Sequence, residues 1–197
     1  MINNYKKYLE FITSKIDKFF EAQKPYIFCK KGCAKCCKNA EFPFSVLEAT
    51  YLSQGIDTLS TEIQQQIADK IEKISIEKEN YKGEKFLYDC PFLIDDVCCL
   101  YEYRGIVCRT FGLITSDDDN RAKIPFCYKD GLNYSNVVDY KKNVISQEKC
   151  DALGFENEPV AYNISYNFLT GEGMEKAFNI KFGEKKPLIE WFKTADS

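Results

Sequence analysis

Ten cysteines and no histidine stand in this chain of 197 residues, and eight of the ten lie between Cys29 and Cys108. They form two knots, Cys29-Lys-Lys-Gly-Cys33-Ala-Lys-Cys36-Cys37 and Cys90-Pro-Phe-Leu-Ile-Asp-Asp-Val-Cys98-Cys99, with Cys108 just beyond the second. Thiolates gathered this closely suit a tetrahedral zinc ion or an iron–sulfur cluster. Without histidine, both the usual general base near neutral pH and mixed nitrogen–sulfur zinc ligation are missing. Any chemistry therefore runs on sulfur, carboxylate, lysine or a bound cofactor. Lys30, Lys31, Lys35 and Lys38 interleave the first knot. They keep a loop solvated, and they also offset the net negative charge that four thiolates leave around a divalent ion or a four-iron cluster.

The first three cysteines, Cys29, Cys33 and Cys36, match the spacing of the radical-SAM signature, but Lys35 stands where those enzymes usually carry an aromatic residue. The fuller pattern is more specific. It comprises C-x-x-x-C-x-x-C-C, the helix start Ser45-x-x-Glu48, Cys90-Pro91-Phe92-Leu93, and Cys98-Cys99-Leu100-Tyr101-Glu102-Tyr103-Arg104-Gly105-Ile106-Val107-Cys108-Arg109. With these motifs in this order, the chain resembles the YkgJ family of cysteine-cluster proteins, described as a zinc- or iron-chelating domain, over roughly residues 29 to 131. The resemblance implies that Cys29, Cys33, Cys36, Cys37, Cys90, Cys98 and Cys108 are metal ligands, with Cys127 of Pro-Phe-Cys127-Tyr-Lys-Asp-Gly131 as the eighth. Cys99 and Cys150 fall outside the family positions and read as small buried residues. One departure is visible: Gly105 follows Arg104 where the family usually has proline, a residue suited to the first turn of a helix.

Successive side chains of an extended segment point to opposite sides, so Cys36 and Cys37 are expected to address two places unless the backbone turns sharply there. Eight cysteines divide into two sets of four, the requirement of a structural zinc and equally of a 4Fe–4S cluster. The expectation is one or two all-cysteine centres, each drawing on both knots. The irregular spacing of the first knot differs from the paired C-x-x-C knuckles of zinc ribbons and leans toward iron–sulfur. Arg104 and Arg109 bracket Cys108, where they can pair with Asp95, Asp96 or Glu102 and offset thiolate charge, or form an anion site.

The elements that must hold these residues read mainly as helices. Tyr5, Leu9, Ile12, Ile16 and Phe19 recur at helical spacing and predict an amphipathic helix ending before Pro25. Ser45 and Glu48 form a capping box that starts a second helix, and Gly55 offers its natural stop. Ile63, Ile67, Ile71 and Ile74 line a third helix running toward Gly83. Residues 86 to 100 predict a small irregular hairpin turning at Asp95-Asp96, with the second knot on it. A short helix over residues 101 to 111 carries Cys108, and Asp117-Asp118-Asp119-Asn120 reads as exposed, solvated surface. Further helices are expected over Ser135 to Ser146 and near Pro187 to Thr194. The fold class predicted is mainly α with a small irregular β hairpin, a compact cysteine-knotted metal-binding domain. Residues 1–25 form its N-terminal amphipathic helix, 26–131 the cysteine-cluster domain, and 132–197 a C-terminal extension packed on it.

Hydrophobic residues at 45% and charged residues at 29% describe a folded protein. A net charge of -3 and a pI near 5.3 argue against a nucleic-acid binder held by a basic face. No signal peptide, lipidation site or bilayer-spanning run is visible, so a cytoplasmic location is expected, where disulfides are rare and close cysteine spacings read as metal ligation or redox chemistry. Three functions fit these readings. The first is a metal-binding protein with an iron–sulfur or zinc centre in a structural, redox or metal-handling role. The second is an S-adenosylmethionine-dependent protein-modifying enzyme, since the same cysteine domain occurs in flagellin lysine N-methylases, although no glycine-rich nucleotide loop follows a strand here. The third is a metal-stabilised adaptor whose aromatic C-terminal region binds a protein partner.

Overall fold

A computed structural model describes every residue except Lys31, Asp118, Asn120, Glu156, Asn157 and residues 194–197. In chain order the elements are α1 (Ile2–Ala22), β1 (Pro43–Ser45), α2 (Val46–Ile56), α3 (Thr61–Asn80), β2 (Leu93–Ile94), β3 (Val97–Cys98), α4 (Ile106–Thr110), β4 (Thr115–Ser116), β5 (Ala122–Lys123), β6 (Val138–Asp139), β7 (Val144–Ile145), α5 (Gln147–Ala152), α6 (Tyr166–Leu169), α7 (Glu172–Phe178) and β8 (Lys185–Pro187). The fold is mainly α. Its strands occur, among the described residues, as the antiparallel pairs β1–β8, β2–β3, β4–β5 and β6–β7. No helix among those residues is long and apolar enough to cross a membrane.

The chain divides into two units, the first from Met1–Ile2, Gly32–Cys108 and Ile180–Ser197, the second from Asn3–Lys31 and Arg109–Asn179. In the first unit, the predicted capping box is complete. Ser45 Oγ accepts from the Glu48 amide, and the Glu48 carboxylate accepts from the Ser45 amide, which starts α2. The helix runs one residue past the expected stop at Gly55, where glycine serves packing instead: a Cβ there would meet the Tyr103 ring at 2.5 Å. Ser60 caps α3, which buries Ile67, Ile71 and Ile74 as its isoleucine stripe predicts. These side chains pack with Phe44, Leu52, Tyr88, Phe92, Leu100, Leu188 and Ile189 into one apolar core. The β1–β8 pairing, Phe44 opposite Lys186, closes the unit over more than a hundred residues of sequence. Lys78 of α3 adds a half-buried ion-pair network with Glu41 at 3.3 Å and Glu190 at 2.7 Å.

In the second unit, α1 ends three residues before Pro25 and buries Tyr5, Tyr8, Leu9, Ile12 and Ile16. Phe19 of the same stripe is half-buried and stacks on Tyr162 at 3.9 Å between ring centroids. A separate core forms around Tyr26, Ile114, Tyr128, Tyr134, Val137, Val138 and Cys150.

Two helix expectations are corrected. Residues 135 to 146 form the β6–β7 hairpin, because Asp139 Oδ1 accepts from the amides of Lys141 and Lys142 and Asn143 turns into left-handed backbone at φ 57°. Such local side-chain bonds give the backbone an alternative to helical pairing. Near Pro187, only a 3-10 turn over Leu188–Trp191 forms, and Thr194 lies outside the described residues. The acidic run is not uniformly solvated: Asp117 is mostly buried at its side chain and organises the β4–β5 turn by accepting from the amides of Asp119 and Arg121, while Asp119 is exposed. Asp118 and Asn120 of that run lie outside the described residues.

Candidate metal centre

The first unit brings the two knots together through their backbones. The Cys90 amide donates to the Cys37 carbonyl at 2.7 Å, and Ala40 bridges Tyr88 in both directions. Between these bonds Asn39 takes a left-handed φ of 50°, and its amide donates to Asp89 Oδ1 at 2.8 Å. The β2–β3 hairpin then sets Leu93 opposite Cys98 and turns at Asp95 and Asp96, both left-handed at φ 48° and 62°. That two-residue turn matches the twist of its strands, yet two aspartates replace the usual Asn-Gly. Lys38 pairs with Asp96 at 2.5 Å and so fastens the first knot to the hairpin tip. Of the four lysines in the first knot, Lys38 thus has a structural partner, and Lys31 lies outside the described residues.

Cys36 and Cys37 depart from the extended geometry on which the two-place expectation rested. Residues 35 to 37 form a 3-10 turn, and the two sulfurs stand 3.9 Å apart. A tetrahedron with zinc–sulfur bonds of about 2.3 Å has an edge of about 3.8 Å, so both thiols can bind one ion. The hydrogen bond between them lowers Cys36 below the usual thiol range and pushes Cys37 above it, since the pair holds one negative charge more easily than two.

Cys90, Cys98 and Cys108 share that environment. Burial pushes Cys90 up to about 12, with Cys98, Cys99 and Cys36 adding to the effect. Burial, then Cys90, Cys98 and Cys36, raise Cys108 well above the thiol range. Cys98 is raised by burial while the Leu100 amide and Arg104 oppose it. Cys36, Cys37, Cys90, Cys98 and Cys108 thus lie near enough to disfavour one another's ionised forms, a cost that a bound cation would relieve by replacing their protons. Arg104 supplies positive charge to Cys36 and Cys98, and its guanidinium lies 3.7 Å from the centroid of the exposed Tyr101 ring. Cys99 also lies here, its amide bonded to the Phe92 carbonyl and its thiol pushed up to about 11 by burial. Cys33 belongs to the same unit and is half-buried.

The all-thiol donor set fits a soft metal. The cluster nevertheless stops short of a preformed site: among the described residues, no three cysteine, aspartate or glutamate side chains are gathered closely enough to hold an ion. All ten cysteines carry thiols rather than disulfides.

The other predicted ligands belong to the second unit. Cys29 is exposed, and its amide and that of Phe28 both donate to Asn133 Oδ1, at 2.8 and 2.9 Å. Cys127 is buried in a 3-10 turn whose carbonyl accepts from the Leu132 amide, next to Asn133. Asn133 is fully buried and donates through Nδ2 to the Gly112 carbonyl at 2.8 Å, so a single amide side chain ties three stretches of backbone together. No sequence signal singled it out. Arg109, also of this unit, donates to Thr13 Oγ1 at 3.0 Å. Cys150 has no exposed surface and packs within the second core.

Comparison with family models, with curated proteins and with solved structures finds no match for this chain.

Proposed function

We propose that this chain is a metal-binding protein of the YkgJ type, with an all-cysteine centre built in the first unit from Cys36, Cys37, Cys90 and Cys108, with Cys98 beside them. The observation that carries this reading is the joining of the two sequence knots by the Cys90–Cys37 backbone hydrogen bond, beside the paired sulfurs of Cys36 and Cys37. Cys36 and Cys37 hold one ion as a pair, and the facing thiols complete it by closing inward when the metal arrives. Binding and local folding are then one event. The 3.9 Å sulfur separation favours a single tetrahedral ion, zinc or one iron, over a 4Fe–4S cluster, whose four cysteine sulfurs sit on different irons and stand farther apart. The centre joins segments some fifty residues apart, which suits a structural or metal-handling role. Metal and acid-labile sulfide measured on anaerobically purified protein test this. One metal per chain without sulfide is expected; sulfide in equal amount to iron, with a visible absorption bleached by dithionite, identifies a cluster instead, and a folded metal-free protein overturns the proposal.

A further inference from the structure

Glu48 is 1% exposed, and its carboxylate serves two elements at once. Oε2 accepts from the Ser45 amide at 2.9 Å and from the Ser45 hydroxyl at 2.7 Å, which completes the capping box of α2. Oε1 accepts from the Ile106 amide at 2.9 Å, fifty-eight residues away. Ile106 is the first residue of α4, and Cys108 is the third. A capping box needs only one carboxylate oxygen and works at a solvated helix end, so it explains neither the burial nor the second oxygen's partner.

The space that permits this contact comes from Gly105. A Cβ there would lie 2.8 Å from Glu48 Oε1 and 2.4 Å from Phe44 Cε1. Proline, which carries the same Cβ, meets the same obstruction. The glycine that interrupts the family pattern is therefore what lets the carboxylate reach the start of α4.

We propose that Glu48 is a positioning residue for Cys108, holding the first turn of α4 against α2 so that the Cys108 thiol faces Cys36, Cys90 and Cys98; this rests on the metal-centre reading above. A carboxylate suits the role because each oxygen accepts, whereas a glutamine must turn its amide group toward the donors of one side or the other. Groups that orient metal ligands without touching the metal typically change affinity by about 10–100-fold when removed.

The test compares three variants of the full chain, Ser45→Ala, Glu48→Ala and Glu48→Gln, titrated anaerobically with cobalt(II) and followed by sulfur-to-cobalt charge-transfer absorption. Ser45→Ala removes the hydroxyl donor to Oε2 and leaves the amide bonds from residue 45 and Ile106; Glu48→Ala removes all three. Cobalt affinity is expected to fall about 10–100-fold in Glu48→Ala and to stay within about twofold of wild type in Ser45→Ala. Glu48→Gln, which keeps the volume but can offer a carbonyl oxygen to one side only, recovers part of the loss and stays several-fold weaker than Ser45→Ala, a difference that reports even if the alanine variant fails to fold. Equal weakening by Ser45→Ala and Glu48→Ala, or wild-type affinity in both Glu48 variants, overturns the positioning role. A second readout needs no metal: in metal-free protein, the alkylation rate of Cys108, measured by peptide mass spectrometry, rises in the Glu48 variants and not in Ser45→Ala. Should wild type show no sulfur-to-cobalt band while this difference persists, the metal reading falls and the positioning role stands. Absence of the difference removes the positioning role whatever cobalt does.

Discussion

Gly105→Ala isolates one contact of the account, because the added atom is a single methyl group and its surroundings are known. The Cβ meets Phe44 Cε1 at 2.4 Å and Glu48 Oε1 at 2.8 Å, both closer than real contacts allow, and Phe44 Cδ1 at a tight 3.0 Å. Phe44 is 2% exposed within the first core and Glu48 is 1% exposed, so neither side chain can swing into solvent. Overpacking a core in this way typically costs about 1–3 kcal/mol. Displacing the carboxylate also weakens the Ile106 bond, and a hydrogen bond to a charged group contributes about 1.5–3 kcal/mol. Since part of that bond survives a small shift, the expected total is about 2–4 kcal/mol. For a chain of this size each kcal/mol shifts the midpoint by about 2–4 °C, so thermal unfolding should move down by roughly 5–15 °C. Circular dichroism during heating and in urea reads it, with Gly173→Ala as the control. Gly173 lies in α7 with no atom within 4 Å of its would-be Cβ, so alanine there should stabilise, by up to about 1 kcal/mol. A Gly105→Ala protein that unfolds at the wild-type midpoint would refute the reasoning.

Three other outcomes follow from the same physical picture. Asn133→Ala removes three hydrogen bonds of a fully buried amide and should cost about 3 kcal/mol, with faster hydrogen exchange at the Phe28 and Cys29 amides but not in α3; unchanged exchange there removes the clamp. Glu190 is held below its ordinary value of 4.5, first by its hydrogen bond from Lys78, so its stabilising contribution is complete above that value and is lost as pH falls through the lowered one. Lys78 is itself raised, burial working against its charge but the bonds and charges of Glu190 and Glu41 outweighing it. Glu190→Gln should therefore lower stability at neutral pH by up to about 1 kcal/mol and flatten the acid-side decline below roughly pH 5, measured by urea unfolding across pH; an unchanged acid limb counts against the pair. Cys150→Ala should destabilise the second core by about 1 kcal/mol without altering metal content, since it deletes one buried sulfur from an apolar cluster.

The helical part of the fold was legible because its signals are local. The stripe from Tyr5 to Ile16, the Ser45–Glu48 box and the isoleucines of α3 each state their geometry within two turns of chain, and Asp95-Asp96 marked a hairpin turn between short apolar runs. The β6–β7 hairpin was not legible as strand. Its strands have two residues each, and its turn depends on Asp139 bonding its own neighbours rather than on periodicity. At the candidate centre, the cysteines themselves were evident, but their grouping was not. Cys36 and Cys37 converge because a 3-10 turn replaces extended chain, and the Cys37–Cys90 bond links positions that no sequence period relates. The capping role of Glu48 could be read from Ser-x-x-Glu, whereas its second oxygen's partner at Ile106 is a tertiary fact. Asn133 carries no motif at all, since a lone asparagine after a leucine predicts nothing about backbone amides a hundred residues earlier.

The functional proposal places a metal among the thiols of the first unit. Its most direct test is metal content per folded chain, by mass spectrometry on anaerobically purified wild type and on Cys36→Ser, Cys90→Ser, Cys108→Ser and Cys150→Ala. Metal is expected in wild type and in Cys150→Ala, with its loss or sharp reduction in each of the three serine variants. Full metal content in Cys90→Ser and Cys108→Ser, or a folded wild-type chain with none, would contradict it.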